Sequence, residues 1–482
     1  MYVMLSKNSF IRSYDEYGYI INQMTDLDRL YNKSGKLFLD QISRMPKSAE
    51  EIVDNLYKIF IGTDRKQIEI DFIEFITDLE SEHYVIIGED EETIASKDIA
   101  FSYDFEGVKT TRNIFLGHND SYPSPKMFFF ENINKKNYYL IHIYLELTRK
   151  CNERCVHCYI PDKDKNHGLD MTLEDAKSYI SQASEINTLS ITLTGGEPFL
   201  NKHITDILFF AREKDMMISI LSNITPITEE YIKTLKDVNV SRIQVSLYSL
   251  NPEIHDLITK SPGSFNKTFR TINRLLEEDI PVQISCPIMK HNDKDSQDVL
   301  KWAYKHHVKA YTDINLNAKY DGNKENLCHA PTNEMIREFL KDTLKNDKDW
   351  KEEIENNYSR GVYSNRNLHE NICGAGIDTL YISADGRILP CVSWESYPVG
   401  NLKEQTLKEI WEQSSQLTKL RNLKINDYPD YFNSEYKEFI SLCPARFASH
   451  SNGDFLKIPE ATIEQAKLKK EIVDNYIENS KN

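Results

Sequence analysis

The feature that most constrains this 482-residue chain is the alternation of strand-like and helical segments between residues 139 and about 317. Apolar runs such as "LSITLT" and "RIQVSL" are separated by segments with helical periodicity such as "ITDILFFAREK". This alternation predicts a parallel sheet with helices outside it, either an open doubly wound sheet or a barrel. About six strands are visible, fewer than a complete eight-stranded barrel requires.

Charge and hydropathy exclude several classes of protein. The chain has 59 basic and 75 acidic residues, a net charge of −16, which argues against nucleic acid or an anionic membrane surface as the main partner. No charged segment followed by an apolar stretch resembles a signal peptide, and apolar runs such as "YYLIHIYL" are too short to span a bilayer. We therefore expect a soluble, cytoplasmic protein.

The eight cysteines all lie after residue 150. A reducing compartment disfavours a disulfide framework, so metal or cluster binding is the better interpretation. Three of them crowd into "CNERCVHCY", with the spacing C-x3-C-x2-C, on the loop after the first predicted parallel strand. Three local thiolates would leave one iron of a [4Fe–4S] cluster open to another ligand. The alternative is a zinc site completed by His157 or by a distant residue. The three cysteines are Cys151, Cys155 and Cys158.

This motif resembles the cluster-binding motif of the radical S-adenosylmethionine superfamily, and further segments share the resemblance. "TLTGGEPFL" follows the second strand, "LSN" ends the third, and "VSLYS" lies on the fourth. The resemblance implies a reduced [4Fe–4S] cluster that cleaves S-adenosylmethionine to a 5′-deoxyadenosyl radical. It also implies contacts to S-adenosylmethionine from Tyr159, Gly195, Gly196, Glu197, Ser222, Asn223 and Ser246.

A second cysteine pattern, "CGAGIDTLYISADGRILPC", resembles the start of the SPASM domain. The later cysteines of that domain are reduced here to one. The resemblance therefore implies one auxiliary iron–sulfur cluster, of the [4Fe–4S] type, held by Cys373, Cys391 and Cys443. Cys328 is either its fourth ligand or an ordinary thiol that leaves an iron open to a substrate thiolate. Cys286 lies within a strand, and we expect it to be structural.

The N-terminal segment, with short strands and three helices, resembles the PqqD-like peptide-recognition element, a winged helix. The resemblance implies that it binds the leader of a precursor peptide by adding a strand beside its own sheet. We expect the exposed edge in "TDLDRLYN" and the opposite wall in the helix "DFIEFITDL". A dimerisation or DNA-binding winged helix is the alternative, and the acidic balance disfavours DNA.

Together these resemblances predict an α/β enzyme that modifies a ribosomally made peptide by forming sulfur-to-carbon thioethers, with flavodoxin or ferredoxin as electron donor. Two alternative reactions are carbon–carbon or carbon–oxygen crosslinking, and epimerisation in which Cys328 or Cys286 returns a hydrogen atom. A non-enzyme alternative is a cluster protein that binds peptide or transfers electrons. The predicted organisation is a winged-helix recognition element (1–90), a linker (91–138), a partial (β/α)6 barrel (139–320), a SPASM/twitch-like domain (321–455) and a C-terminal helix (456–482).

Overall fold

A computed structural model of the chain describes residues 1–105, 115–116, 137–346, 351, 354 and 372–480. The strands in these residues form two small antiparallel sheets near the N-terminus and one sheet of ten strands. Most of the predicted linker lies outside the described residues. In the part of the chain that the structure describes, no helix is long and apolar enough to cross a membrane.

The N-terminal region contains six short strands and four helices. These are β1 (Tyr2–Leu5), β2 (Ser9–Tyr14), β3 (Tyr17–Asn22), β4 (Asp28–Tyr31), β5 (Lys47–Ser48), β6 (Val85–Gly88), α1 (Lys33–Leu39), α2 (Ala49–Ile59), α3 (Arg65–Ser81) and α4 (Glu91–Lys97). The strand orders are β5-β1-β6 and β2-β3-β4, so β4 is an edge strand. Helix α4 lies within the predicted linker, and its Ile94 is buried against Met4 and Ile86. The N-terminal unit therefore extends beyond residue 90.

Polar contacts fix the N-terminal unit against the helices of the central sheet. The Arg44 guanidinium pairs with the Asp215 carboxylate at 2.6 Å. Arg12, which is 9% exposed, donates from Nε to the Thr188 carbonyl at 3.1 Å. Because a buried guanidinium without partners is costly, these contacts hold the two units in one arrangement.

The central sheet confirms the predicted partial barrel. Its six consecutive parallel strands follow the chain order, and a short seventh strand pairs with the last of them. The strands are β7 (Phe115–Leu116), β8 (His142–Thr148), β9 (Ser190–Gly195), β10 (Met217–Ser222), β11 (Arg242–Ser246), β12 (Val282–Ser285) and β13 (Lys309–Thr312). The helices between them are α5 (Asp162–His167), α6 (Leu173–Glu185), α7 (Ile204–Glu213), α8 (Glu229–Asp237), α9 (Pro252–Thr259), α10 (Ser264–Glu277) and α11 (Ser296–Lys305).

Side chains alternate between the two faces of the barrel strands, as the period of two requires. On β8, Ile143 and Leu145 belong to the main hydrophobic core beneath the outer helices. Tyr144 and Glu146 consequently face the other way, into the barrel interior. Full burial of each apolar side chain on the outer face contributes about 1.5–3 kcal/mol. The outer face therefore stabilises the barrel, and the inner face is free to carry polar chemistry.

The C-terminal part extends the same sheet on its other side. Strand β14 (Thr379–Ile382) pairs in parallel with β8, and β15 (Arg387–Leu389) and β16 (Gly400–Asn401) follow in antiparallel order. The last helix packs against α12 through Leu340 and Leu468. The helices are α12 (Asn333–Asn346), α13 (Leu407–Gln413), α14 (Ser415–Asn422), α15 (Pro429–Asn433), α16 (Pro444–His450) and α17 (Glu460–Ser480).

Candidate active site

The first cysteine group lies on the loop that leaves β8 at the carboxyl end of the sheet. Cys151, Cys155 and Cys158 are all half-buried. The loop is held by its main chain, because the amides of Arg154 and Val156 donate to carbonyls at the end of α9 at 3.0 and 2.9 Å. The carboxyl ends of parallel strands are where α/β folds bind ligands. The loop that carries the three cysteines therefore lies at the carboxyl end of the first parallel strand, as predicted.

Polar groups surround the thiols of this loop. The Tyr248 hydroxyl donates to Cys155 Sγ at 3.9 Å, and the side-chain amide of Asn223 donates to Cys151 Sγ at 3.9 Å. Burial raises the pKa of Cys151 to about 12 and also raises the pKa of Cys155. Without a metal these two thiols therefore keep their protons, and cluster binding would release them. Three thiols on one fixed loop are a donor set that fits an iron–sulfur cluster.

The two glycines of "TGGEP" allow close contact between β9 and the cysteine loop. A Cβ atom at Gly195 would lie 2.3 Å from the Thr148 carbonyl oxygen, and one at Gly196 would lie 2.3 Å from that of Lys150. The Gly196 amide donates to the Thr148 carbonyl at 2.8 Å. Since any side chain would force this contact apart, both positions require glycine.

Glu197 organises the ends of β9 and β10. Its fully buried carboxylate accepts hydrogen bonds from Ser222 Oγ and the main-chain amide of Asn223, both at 2.8 Å, and from the main-chain amide of Phe199 at 3.1 Å. Burial raises its pKa to about 7. The structure thus brings Glu197, Ser222 and Asn223 together beside Cys151. Their contacts to S-adenosylmethionine stay a prediction, and the Glu197 side chain already has protein partners.

The remaining predicted contacts lie on either side of the cysteine loop. Ser246 ends β11, two residues before Tyr248, and is half-buried. Tyr159 is half-buried, and its phenol interacts electrostatically with Cys158 and with Cys391. Tyr159 therefore lies near a thiol of each cysteine group.

The second cysteine group assembles from three separate segments. Cys391 and Cys443 pack against the same buried cluster around Trp394. Cys373 lines a small cavity with Trp394, and its thiol interacts electrostatically with those of Cys391 and Cys443. Burial raises the pKa of Cys391 to about 11. The three predicted auxiliary ligands therefore converge, and their thiols fit an iron–sulfur cluster as the first group does.

Cys328 and Cys286 occupy other surroundings. Cys328 is exposed on a short 3-10 helix, Glu325–His329. The neighbouring Asn326 donates to the His157 carbonyl at 3.1 Å, and Lys324 of the same segment donates to the His450 carbonyl at 2.7 Å. Both alternatives for Cys328, fourth ligand and ordinary thiol, stay predictions. Cys286 is fully buried in the main core, which confirms its predicted structural role.

A set of charged side chains that the sequence analysis missed links the two cysteine groups. Arg149, two residues before Cys151, pairs with Glu146 at 3.2 Å and with Glu395 at 3.1 Å. Glu395 lies four residues after Cys391 and also pairs with Arg387 at 2.6 Å. Nothing in the spacing of these residues reveals the pairing. The one available signal is their placement beside cysteines.

The zinc alternative gains no support from the geometry. Among the described residues, no three His, Cys, Asp or Glu side chains converge closely enough to hold a single metal ion. Cluster ligands bind different irons and need not converge so tightly.

Similar proteins agree with these observations. Residues 145–303 match the radical SAM superfamily, and residues 373–443 match SPASM, an iron–sulfur cluster-binding domain. An AdoMet-dependent heme synthase of Methanosarcina barkeri is 26% identical over 65% of this chain and 93% of its own length. The subtilosin biosynthesis protein AlbA of Bacillus subtilis is 27% identical over 56% of this chain and 59% of its own.

Among solved structures, Streptococcus suis SuiB bound to its precursor peptide SuiA has the same fold over 96% of this chain and 99% of its own, with a TM-score of 0.60 and 14% identity. The matched ranges contain both cysteine groups, and the ligands they imply are a [4Fe–4S] cluster with S-adenosylmethionine at the first group and an iron–sulfur cluster at the second. The chain therefore carries a segment that matches the radical SAM superfamily, residues 145–303, followed by a segment that matches the SPASM iron–sulfur cluster-binding domain, residues 373–443.

Proposed function

We propose that this chain joins a cysteine sulfur to a carbon atom within a ribosomally synthesised precursor peptide. The observation that carries the proposal is a groove of about 930 Å³ in the N-terminal unit, between β4 and α1 on one side and α3 on the other. The groove has the position expected from the resemblance to a peptide-recognition element. The fold likeness to SuiB, which was solved with its precursor peptide, supports the same interpretation.

The groove has the two features that strand addition requires. Strand β4 is at the edge of its sheet, so its outer backbone groups can pair with an extended peptide. Aromatic side chains, Tyr31 and Phe75, provide an apolar surface where their rings meet edge-on at 5.0 Å. The Arg29 guanidinium bridges β4 to Asp78 and Glu82 on or beside α3, each at 2.5 Å, and keeps the two walls at a fixed separation.

The acidic side chains of the groove predict the charge of the leader peptide. The α3 wall presents three acidic side chains to the groove. Since Asp78 already pairs with Arg29, Asp71 and Glu74 remain to attract a cation. We therefore expect a leader with an extended segment whose alternate side chains are apolar and which carries at least one lysine or arginine facing α3.

The reaction requires two sites. Forming the thioether breaks one S–H and one C–H bond and makes one S–C bond, so the peptide loses one hydrogen atom, one proton and one electron. When bound, the first cluster and S-adenosylmethionine supply the 5′-deoxyadenosyl radical that takes the hydrogen atom. Cys373, Cys391 and Cys443 would hold the cluster that takes the electron. Tyr159, near a thiol of each group, would lie close to the reacting peptide.

Carbon–carbon or carbon–oxygen crosslinking would use the same arrangement, and the products alone separate these reactions. Epimerisation needs a thiol beside the peptide to return a hydrogen atom. Cys286 is poorly placed for this, because it is fully buried in the core and interacts at 3.7 Å with the Tyr248 carbonyl. Among the described residues Cys328 is the exposed thiol that remains for that role.

A second candidate is tetrapyrrole modification, because relatives include an AdoMet-dependent heme synthase. That alignment covers 65% of this chain. The groove in the N-terminal unit has no evident use in tetrapyrrole chemistry, so we favour a peptide.

Leader binding is the first test. Peptides encoded by the short reading frames beside the gene would be labelled with fluorescein and titrated with protein, and anisotropy would be measured. Replacing Asp71 and Glu74 with arginine should weaken binding about tenfold or more, since charge-assisted contacts contribute about 1.5–3 kcal/mol each. Glu69→Arg, exposed on the same helix but outside the groove, is the matched control. Equal affinity in all three proteins would remove the groove from the mechanism.

Product analysis is the second test. The reconstituted enzyme would be incubated anaerobically with peptide, S-adenosylmethionine and reduced flavodoxin or ferredoxin, the proposed donor. A thioether gives a product lighter by two hydrogen atoms that no longer reacts with iodoacetamide at the linked cysteine. A crosslink that leaves every thiol reactive would indicate carbon–carbon or carbon–oxygen bonding. A product of unchanged mass in ordinary water that takes up deuterium when the reaction is run in heavy water would indicate epimerisation.

A further inference from the structure

Two positive side chains from different helices lie together at the side of the barrel. Arg446 on α16 is 7% exposed, and its Nε has no hydrogen-bond partner among the described residues. Its one hydrogen bond runs from Nη2 to the Ser441 carbonyl at 3.0 Å. Lys469 on α17 is half-buried and forms neither a hydrogen bond nor an ion pair with a described residue. We call Arg446 and Lys469 the cation pair.

The packing of two helices creates this pair. Phe447 of α16 and Ala466 of α17 belong to one buried cluster, so the turns that carry Arg446 and Lys469 are neighbours. Leu468 packs with Ile314 beside the end of β13, which brings the adjacent Lys469 toward Asp313. The groups that act electrostatically on Lys469 are accordingly Arg446 and Asp313.

The cation pair borders the barrel interior. Asp313 continues β13 and lies on the same face as Tyr311, two residues earlier. The Tyr311 phenol interacts with both Asp313 and Tyr144, and Tyr144 faces the interior from β8. Strands β13 and β8 are the two ends of the six-stranded barrel. The cation pair therefore lies near the carboxyl end of β13, at the open side of the partial barrel.

Within the described part of the chain, this charge is largely uncompensated. One carboxylate, that of Asp313, acts on Lys469, and it also accepts hydrogen bonds from the amide and side chain of Asn315 at 2.8 and 2.9 Å. Burial of cations without full pairing opposes folding, and burial lowers the pKa of Lys469 for this reason. Such an arrangement is typical of a site that receives its anion from a ligand.

We infer that Arg446 and Lys469 form a binding site for a substrate carboxylate, and that an acidic side chain of the peptide core occupies it. The second half of this inference rests on the proposed function. With the leader held in the N-terminal groove, an ion pair at this site would place the neighbouring peptide residues between the two cysteine groups. The site would select among core residues by charge, since a neutral glutamine would leave both cations unpaired.

A different role for the pair would be to offset the negative charge of an auxiliary cluster. The electrostatic partners of Lys469 point away from that role, because they are Arg446 and Asp313 and include none of the three thiols. The two roles also differ in their consequences. Removing a counter-ion of the cluster would change the iron content or its spectrum, whereas removing a substrate site would leave both unchanged.

The experiment uses the full-length reconstituted enzyme and two amide-capped peptide libraries, Ac-Cys-Xaa3-Glu-Xaa3-NH2 and its Gln counterpart. Equal amounts are captured on immobilised protein and counted by mass spectrometry. Wild-type enzyme should enrich the Glu library about tenfold, the effect of one lost charged hydrogen bond. Arg446→Gln and Lys469→Gln should each reduce the ratio toward unity, and Arg446→Lys should retain part of it. Lys470→Gln, the adjacent lysine that pairs with Asp474, is the matched control.

A parallel titration with iron-coproporphyrin III separates the two levels of the proposal. If the libraries are not captured, and the porphyrin binds in a manner that depends on Arg446 and Lys469, the carboxylate site stands and the peptide substrate is overturned. A Glu-to-Gln ratio near unity in wild type, or one that Lys469→Gln leaves unchanged, overturns the peptide carboxylate site. Loss of iron in Lys469→Gln or Arg446→Gln overturns it in favour of the cluster role.

Discussion

The two cysteine groups offer the same chemistry through opposite constructions. The first takes its three thiols from one loop of eight residues, Cys151 to Cys158, held by main-chain hydrogen bonds. The second collects Cys373, Cys391 and Cys443 from segments spread over 71 residues. A local motif depends on the backbone of one loop, whereas a dispersed set depends on the packing of the strands and helices around it. The backbone of one loop therefore keeps the first three thiols close in space, whereas the second three come together only through packing.

The largest expected effect separates the two groups by mutation. Alanine at Cys151, Cys155 and Cys158 should abolish S-adenosylmethionine cleavage and lower the iron content from about eight to about four per chain. Cys373→Ala should also lower the iron content but leave uncoupled cleavage to 5′-deoxyadenosine. Anaerobic iron and sulfide analysis with product chromatography measures both. Cleavage that persists in the triple variant would contradict the assignment of the first group.

The next largest effect concerns the charged side chains that join the groups. Arg149→Met leaves the Glu146 carboxylate, 3% exposed, without its cation, and should cost about 3–5 kcal/mol of unfolding free energy. Lys403→Met breaks an exposed pair with Asp175 and should cost less than about 1 kcal/mol. Denaturant titration of both variants provides the measurement. Equal losses of unfolding free energy in the two variants would show that the ion pairs of Arg149 stabilise the protein no more than an exposed pair does.

A glycine substitution tests the local construction of the first group. Gly196→Ala places a Cβ 2.3 Å from the Lys150 carbonyl oxygen and 2.6 Å from that of Arg149, and should cost about 2 kcal/mol or more. Gly263→Ala is the matched control, since it meets no atom within 4 Å and carries only the strain of a positive φ, about 1 kcal/mol. Gly196→Ala should therefore lose more unfolding free energy and more affinity for S-adenosylmethionine than Gly263→Ala. A harmless Gly196→Ala would mean that the cysteine loop can move away from β9.

Acidification should weaken the support of the first group. His255 is buried, its Nδ1 accepts from the Tyr248 amide at 3.3 Å, and burial lowers its pKa to about 4. The unfolded chain binds this proton near pH 6.5, so stability is full above that value and falls as the pH drops toward 4. Between pH 7 and pH 5 the share of His255 is about 2 kcal/mol.

His255→Asn should remove this share of the pH dependence, while exposed His307→Asn should keep it. Denaturant midpoints at pH 7 and pH 5 report the difference. If His255→Asn loses as much stability on acidification as wild type, the dependence arises from another group.

The smallest expected effect concerns Cys328. It is exposed, and the short helix that carries it contacts the first cysteine loop, so we expect Cys328→Ala to keep the iron content of wild type. Cys443→Ala should lower the iron content and serves as the positive control. A loss of iron in Cys328→Ala comparable to that in Cys443→Ala would make Cys328 the fourth ligand after all.

Much of the barrel and the first site could be predicted from the sequence, because the signals are local. The alternation of strands and helices predicted six parallel strands, and the structure has six in chain order. The spacing of the first cysteines predicted a cluster-binding loop after the first parallel strand, and the contact of this loop with the glycines of β9 became visible only in the structure. The N-terminal region was less predictable, since its short strands pair into two sheets and α4 extends the unit beyond residue 90.

The sequence by itself determined the fold class, the first cysteine loop and the identity of the remaining thiols, because period and spacing act over a few residues. Only the tertiary structure decided which distant groups meet. It joined Arg149 to Glu395 and placed Arg446 beside Lys469. Contacts of this kind depend on how helices and strands pack, and a single sequence leaves no local trace of them.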